Sequence, residues 1–215
     1  IDPHQVGTLA REIVHDNIIR RFILYVPDSY DRNTPTPLLF NFHGYGGNAE
    51  QQMNYGDFRS IADNEGFLIL HPQGTRLPST GSTHFNVGGW TRGSNIDDVG
   101  FTNYLINVIS RLYNIDELKI FSTGMSNGGF MSYELACKLS ARIAGIASVT
   151  GSMTPETYDE CVPDRPVTII QMHGIEGTVV PLIGFGTIME PLEKVMKFWV
   201  DPVSYTHLTL PTTYG

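Results

Sequence analysis

Short apolar runs separated by helix-length amphipathic stretches set the rhythm of this chain. Residues 22–26, 38–42, 67–70, 120–121, 146–149 and 167–170 are short, mostly apolar segments, the pattern of strands covered on both faces. Between them, residues 58–65 predict a helix stopped by Gly66, and Asp97-Asp98 open a longer one. In that longer helix Phe101, Leu105, Val108 and Leu112 recur on one face. Residues 130–136 and 192–199 predict two further helices. Strands alternating with helices imply an α/β fold, a mostly parallel sheet with helices on both faces. Such a sheet carries its chemistry at the carboxyl ends of its strands.

At 215 residues the chain is one large domain with room for a sizeable core. A net charge of -8 leaves no basic face to track phosphates, which argues against a nucleic-acid partner. No apolar run reaches the length of a membrane span, and no signal peptide is recognisable. The start at Ile1 without methionine suits a processed or trimmed chain. Cys137 and Cys161 are the two cysteines, and two readings stay open. They are buried free thiols, or one bridge tying the loop of Cys161 to the helix of Cys137 in an oxidising compartment.

The candidate chemistry begins at Gly124-Met125-Ser126-Asn127-Gly128, a G-x-S-x-G with a strand before it and a helix after it. A serine on such a sharp turn has its hydroxyl lifted clear of the sheet, which marks Ser126 as a nucleophile rather than an ordinary turn residue. The turn aims the amide of Asn127 at whatever the serine attacks, beside the positive end of the helix. His43-Gly44-Tyr45-Gly46-Gly47 follows the 38–42 strand and emerges at the same sheet edge. A glycine-rich loop there can supply a second N–H, from Tyr45, to an oxyanion hole shared with Asn127. The plainer reading is a tight turn held by a structural His43.

These residues carry a resemblance. Residues 42–48 (FHGYGGN), 71–74 (HPQG), 88–90 (GGW), 97–101 (DDVGF) and 124–129 (GMSNGG) resemble, in order, the motifs of extracellular esterases known as polyhydroxybutyrate depolymerases. Feruloyl and acetylxylan esterases of the same α/β-hydrolase group, the carbohydrate esterase family 1 type, are similar. The resemblance spans about residues 20–200. It implies a secreted serine esterase acting on polyester or plant cell-wall esters, without cofactor or metal. It also implies the Cys137–Cys161 bridge, and it places Trp90 beside the substrate pocket, with a plain core role as the alternative.

The departures weigh equally. Esterases of this group carry His-Gly-x-x-Asp after the 167–172 strand, the aspartate orienting the catalytic histidine, whereas residues 173–177 read HGIEG. Gly177 stands at the aspartate position, and Glu176 is either a displaced triad acid or a solvated loop residue. His173 matches a structural histidine of that loop. The triad order Ser, acid, His asks for a base further on, where only His207 stands. His4, His15, His71 and His84 precede the elbow and read as surface or structural residues. Residues 202–215 do not resemble the group and read as a translated sequencing-adaptor tail of the kind carried by truncated metagenomic frames. The expectation is therefore a hydrolase domain over 1–201 that lacks its last strand and helix, with a non-native tail over 202–215. The primary reading is a serine carboxylic-ester hydrolase working through an acyl-enzyme on Ser126. A non-catalytic binding protein with a decayed triad and a serine peptidase of the same fold are its rivals.

Overall fold

The computed structural model describes residues 5–200. In chain order the strands are β1 (Gly7–His15), β2 (Ile18–Val26), β3 (Thr36–Phe42), β4 (Leu68–Pro72), β5 (Thr75–Arg76), β6 (Thr83–His84), β7 (Ile115–Met125), β8 (Gly145–Val149) and β9 (Thr168–Met172). The helices are α1 (Ala49–Tyr55), α2 (Arg59–Glu65), α3 (Asp98–Leu112), α4 (Asn127–Lys138), α5 (Pro155–Asp159) and α6 (Leu192–Val200). Seven strands form one sheet in the order β1-β2-β4-β3-β7-β8-β9, and β5 with β6 makes a two-residue ribbon beside it. The sheet is parallel from β4 to β9, and β1 and β2 join antiparallel. This is the mostly parallel α/β-hydrolase architecture.

The direction of the crossovers sets the layers. The chain passes from β3 through α1 and α2 to β4 on one side, then reverses through α3 to β7 on the other side of β3. Right-handed crossovers that reverse direction put their helices on opposite faces of the sheet. The step from β7 through α4 to β8 continues the second direction, so α4 joins α3, and the two helices are in contact. The reversal opens a crevice at the carboxyl ends of β3 and β7, where ligands bind in open α/β sheets.

Local signals explain most elements. Gly66 ends α2 in the left-handed conformation, φ 69°, and Asp97 caps α3 by accepting from the Gly100 N–H at 2.7 Å. The buried face of α3 is Phe101, Leu105, Ile106 and Ile109. In α4 every residue from Asn127 to Cys137 is buried, so this helix is sealed all round. Three features of the sequence pattern mislead. β1 alternates half-buried and exposed residues around a single buried Leu9, and without a continuous apolar run it reads as loop. α1 lacks an apolar stripe, burying Ala49, Gln52 and Met53. Strand β7 starts at Ile115, five residues before the apolar pair that signals it.

One buried ion pair ties β2 to α3. Arg20, 2% exposed on β2, donates to Asp98 Oδ1 at 2.5 Å and lies 3.9 Å over the Phe101 ring. Asp98 Oδ2 accepts from the Asn86 N–H at 2.7 Å, so both carboxylate oxygens are engaged. Cys137 on α4 is bonded to Cys161 after α5, the sulfurs 2.01 Å apart.

Candidate active site

Strand β7 ends at Met125 and α4 begins at Asn127, so Ser126 makes the whole turn. It sits at φ 52° and ψ -118°, a sparsely populated region whose strain is about 1–3 kcal/mol. Two backbone bonds hold it there. Its N–H donates to the Val149 carbonyl at 2.8 Å, and its carbonyl accepts from the Phe130 N–H at 3.0 Å. The glycines on either side permit a close approach to β3. A Cβ on Gly128 would lie 2.2 Å from the Phe42 carbonyl oxygen, and one on Gly124 would lie 2.6 Å from the Gly128 carbonyl. Ser126 is left half-buried, and its hydroxyl has no hydrogen-bond partner among the described residues.

The His43 loop meets the elbow at the same level, because Phe42 pairs with Gly124 across β3 and β7. A Cβ on Gly44 would stand 3.7 Å from the Ser126 Cβ. Within this loop Gly46 donates to the Thr83 carbonyl at 2.8 Å and Gly47 to the Gly44 carbonyl at 3.0 Å. The Tyr45 N–H has no acceptor among the described residues, nor has the N–H of Asn127, the first residue of α4. Two uncommitted amides on adjoining loops beside a serine are the donor set that a developing oxyanion requires.

His43 holds this loop in place. Its Nε2 accepts from the Gly74 N–H at 2.9 Å, which leaves the proton on Nδ1 to donate to the Gly44 carbonyl at 2.7 Å. Burial lowers its pKa to about 4, so the ring is neutral at pH 7. Two supports of the loop lie outside the sequence reading. Gln73 accepts from the Ala49 N–H at 3.0 Å while donating to the Gly74 carbonyl at 3.0 Å. Thr83, in the β5–β6 ribbon, donates its hydroxyl to the Gly47 carbonyl at 2.5 Å. The HPQG motif was the available signal for Gln73, whereas nothing local marks Thr83.

The remaining candidates separate from the serine. Trp90 is half-buried, its ring edge-on to Phe130 at 4.8 Å, so it packs on α4 four residues beyond Ser126. Glu176 is exposed on a turn closed by the Gly177 N–H on the Gly174 carbonyl at 3.2 Å, and it has no polar partner among the described residues. His173 has both ring nitrogens engaged, Nδ1 with Gln171 Nε2 at 3.0 Å and Nε2 with the Val180 carbonyl at 2.7 Å. His15 stacks on Tyr104, and His84 Nδ1 meets the Thr75 carbonyl at 3.0 Å. His71 is buried in β4, where desolvation lowers its pKa to about 4. None of these five described histidines is bonded to Ser126; His4 and His207 lie outside the described residues. His15, Asp16 and Asp97 bring ligand atoms within 4.8 Å of one another, but Asp97 is spent capping α3 and the helix N-terminus opposes a cation. No helix among the described residues is long and apolar enough to cross a membrane.

Comparison with known proteins bears on the family and the fold. A feruloyl esterase C of Emericella nidulans is 31% identical over 169 residues, covering 79% of this chain and 59% of its own length. A feruloyl esterase B of Piromyces equi is 30% identical over 163 residues, covering 75% of this chain and 30% of its own. A bifunctional acetylxylan esterase/xylanase of Neocallimastix patriciarum is 27% identical over 156 residues, covering 73% and 21%. The chain thus spans between about a fifth and three fifths of the length of these relatives. Among solved structures, a thermostable esterase superposes with a TM-score of 0.62 over 88% of this chain and 52% of its own, at 18% identity. An acetyl xylan esterase from Aspergillus awamori gives 0.53 over 67% and 53%, also at 18% identity, a likeness of fold. The phospholipase/carboxylesterase family model matches residues 29–210. With its sheet order, its strained serine elbow and that match in hand, the chain belongs to the phospholipase/carboxylesterase family of the α/β-hydrolase fold.

Proposed function

We propose that this chain carries the nucleophile and oxyanion hole of a secreted carboxylic-ester hydrolase. Ser126 attacks the ester carbonyl, the amides of Tyr45 and Asn127 hold the oxyanion, and water releases the acyl group. The observation that carries this reading is Ser126 itself, kept at φ 52° with an unbonded hydroxyl beside two uncommitted N–H groups. Feruloyl or acetyl esters of plant polysaccharide, or a polyhydroxyalkanoate-type polyester, are the substrates. The feruloyl and acetylxylan esterases among the relatives support the first pair. The Cys137–Cys161 bond supports an oxidising, extracellular setting.

Turnover by the chain itself is low in this proposal. A serine hydroxyl needs a base in reach, none of the five described histidines is bonded to Ser126, and a serine hydrolase without its histidine loses about 10⁶ of its rate in the best-studied case. Oxyanion donors and binding still leave roughly 10³ to 10⁴ over water. Hydrolysis of p-nitrophenyl acetate tests both statements. The chain should exceed the buffer rate, and mass spectrometry of the quenched reaction should find an acetyl group on Ser126 that Ser126→Ala, with its fold kept, lacks. Absence of acetyl from Ser126 in the parent chain would refute the esterase reading. The exposed Glu176 and the glycine at 177 favour the second reading, a binding protein with a decayed triad.

A further inference from the structure

The two loops that carry the uncommitted amides meet at Phe85. The N–H and carbonyl of Phe85 are both bonded to the Asn127 side chain, while its ring lies against the ring of His43. Its backbone therefore answers to the elbow and its side chain to the oxyanion loop. What fixes Phe85 is the next residue. The Asn86 N–H donates to Asp98 Oδ2 at 2.7 Å, and the Asn86 side chain donates to the Ile96 carbonyl at 3.0 Å. Both bonds fasten residue 86 to the start of α3, where Asp98 is the first helical residue. The other oxygen of Asp98 is held by Arg20 at 2.5 Å, and the same Arg20 nitrogen reaches the Gln73 carbonyl at 3.5 Å. Gln73 donates in turn to the carbonyl of Gly74, the residue whose N–H is accepted by His43 Nε2. Asp98 thus stands behind Phe85, and Arg20 stands behind both Asp98 and the segment that fixes His43.

Stability alone does not account for this pair. Arg20 and Asp98 are each 2% exposed, so both charges are taken fully out of water. Their attraction often returns no more than that desolvation costs, and apolar residues of similar volume fill such a place at least as well. What apolar residues cannot supply is an acceptor for the Asn86 N–H at a fixed point. The carboxylate supplies it in one orientation, because a donor occupies each of its oxygens. An oxyanion hole depends on such placement, since its donors must already point to where charge develops. We propose that Asp98, oriented by Arg20, is a positioning residue for the oxyanion hole: through Asn86 and Phe85 it sets the spacing between the Tyr45 and Asn127 amides. The proposal rests on the reading of Ser126 as an esterase nucleophile.

Two double variants of the full chain separate position from stability. Arg20→Met/Asp98→Leu removes the charges and the acceptor, whereas Arg20→Met/Asp98→Asn removes the charges and keeps an acceptor oxygen for Asn86. The amide signals of Tyr45 and Asn127 are followed by NMR in isotope-labelled protein, with Leu135 inside α4 as the reference for an intact fold. Labelling of Ser126 by a fluorophosphonate, with imidazole added as the base, reads the reactivity of the site. In the first variant both amide signals should shift or broaden while Leu135 stays put. Its labelling should slow about tenfold to hundredfold, short of the loss of a whole donor. In the second variant the signals and the rate should return to those of the parent. Parent-like signals and labelling in the first variant would overturn the assignment. Slowed labelling in the second would overturn it too, whatever the first does, and would reduce the pair to a support for stability. Amides that move with the acceptor beside a Ser126 that takes no label in the parent would overturn the esterase reading alone and leave Asp98 as the fastening of two loops.

Discussion

Asn127 clamps Phe85 by both ends of its side-chain amide: Oδ1 accepts from the Phe85 N–H at 2.8 Å, and Nδ2 donates to the Phe85 carbonyl at 3.0 Å. The residue that offers its backbone N–H beside Ser126 thus uses its side chain to fasten the 85–87 segment against the elbow. Phe85 in turn lies edge-on to Phe42 at 5.0 Å and 4.6 Å from the His43 ring, so the clamp also steadies the second loop.

Replacing Asn127 by alanine strands the N–H and carbonyl of a buried residue. Each lost bond and each unsatisfied group counts about 1–3 kcal/mol, so Asn127→Ala should lose about 2–4 kcal/mol of stability. Urea denaturation followed by tryptophan fluorescence measures it. A loss below about 0.5 kcal/mol would mean that the clamp is not formed in solution.

The Arg20–Asp98 pair invites a sharper comparison. Removing one partner of a buried ion pair leaves an uncompensated charge and typically loses about 3–5 kcal/mol, whereas replacing both by apolar groups is far milder. Arg20→Met should therefore destabilise more than the Arg20→Met/Asp98→Leu double variant. Additive losses in a double-mutant cycle would show the two residues to be uncoupled.

Acid sensitivity follows from His43 and His71, both buried and both lowered by desolvation to about 4 from 6.5. Above pH 6.5 these rings are neutral in the folded and unfolded chains alike, and they add no pH dependence. As pH falls from 6.5 towards 4 the unfolded chain takes up protons first, so stability drops by up to about 1.4 kcal/mol per pH unit per histidine. Below 4 their contribution levels off. Unfolding free energies measured at pH 7, 5.5 and 4.5 should show this slope, and His71→Asn should flatten it. An equal slope in that variant would assign the acid loss to other groups.

The disulfide closes a segment with a sequence separation of 24 residues between Cys137 on α4 and Cys161. Chain-entropy arithmetic gives about 3.5 kcal/mol for a loop of that length. The Cys137→Ser/Cys161→Ser variant should unfold at correspondingly lower urea, and reduction of the parent should reproduce the shift. If reduction leaves the midpoint unchanged, the bridge contributes nothing to stability.

The strand–helix alternation was legible because short, mostly apolar runs such as residues 38–42 and 146–149 and the one-face repeat of α3 announce themselves by pattern alone. The elbow was legible because only Gly at 124 and 128 admits the contact with Phe42, a steric demand written directly in residue type. β1 was not, since an edge strand with one buried residue has no apolar run to show. The clamp from Asn127 to Phe85 and the Thr83 support are contacts across 42 and 36 residues, and no local pattern encodes partners that distant. Glu176 illustrates the converse: proximity in sequence to the expected acid position did not bring it a partner, because the turn points it into solvent.

The account turns on Ser126 as a nucleophile, and a fluorophosphonate reports that directly. The full chain and Ser126→Ala are incubated with the probe, with and without added imidazole as a substitute base, and digested for peptide mapping by mass spectrometry. The account predicts a single adduct on Ser126, formed slowly by the chain alone, faster with imidazole and absent in Ser126→Ala. No adduct on Ser126 under either condition, or an adduct unchanged by Ser126→Ala, would contradict it.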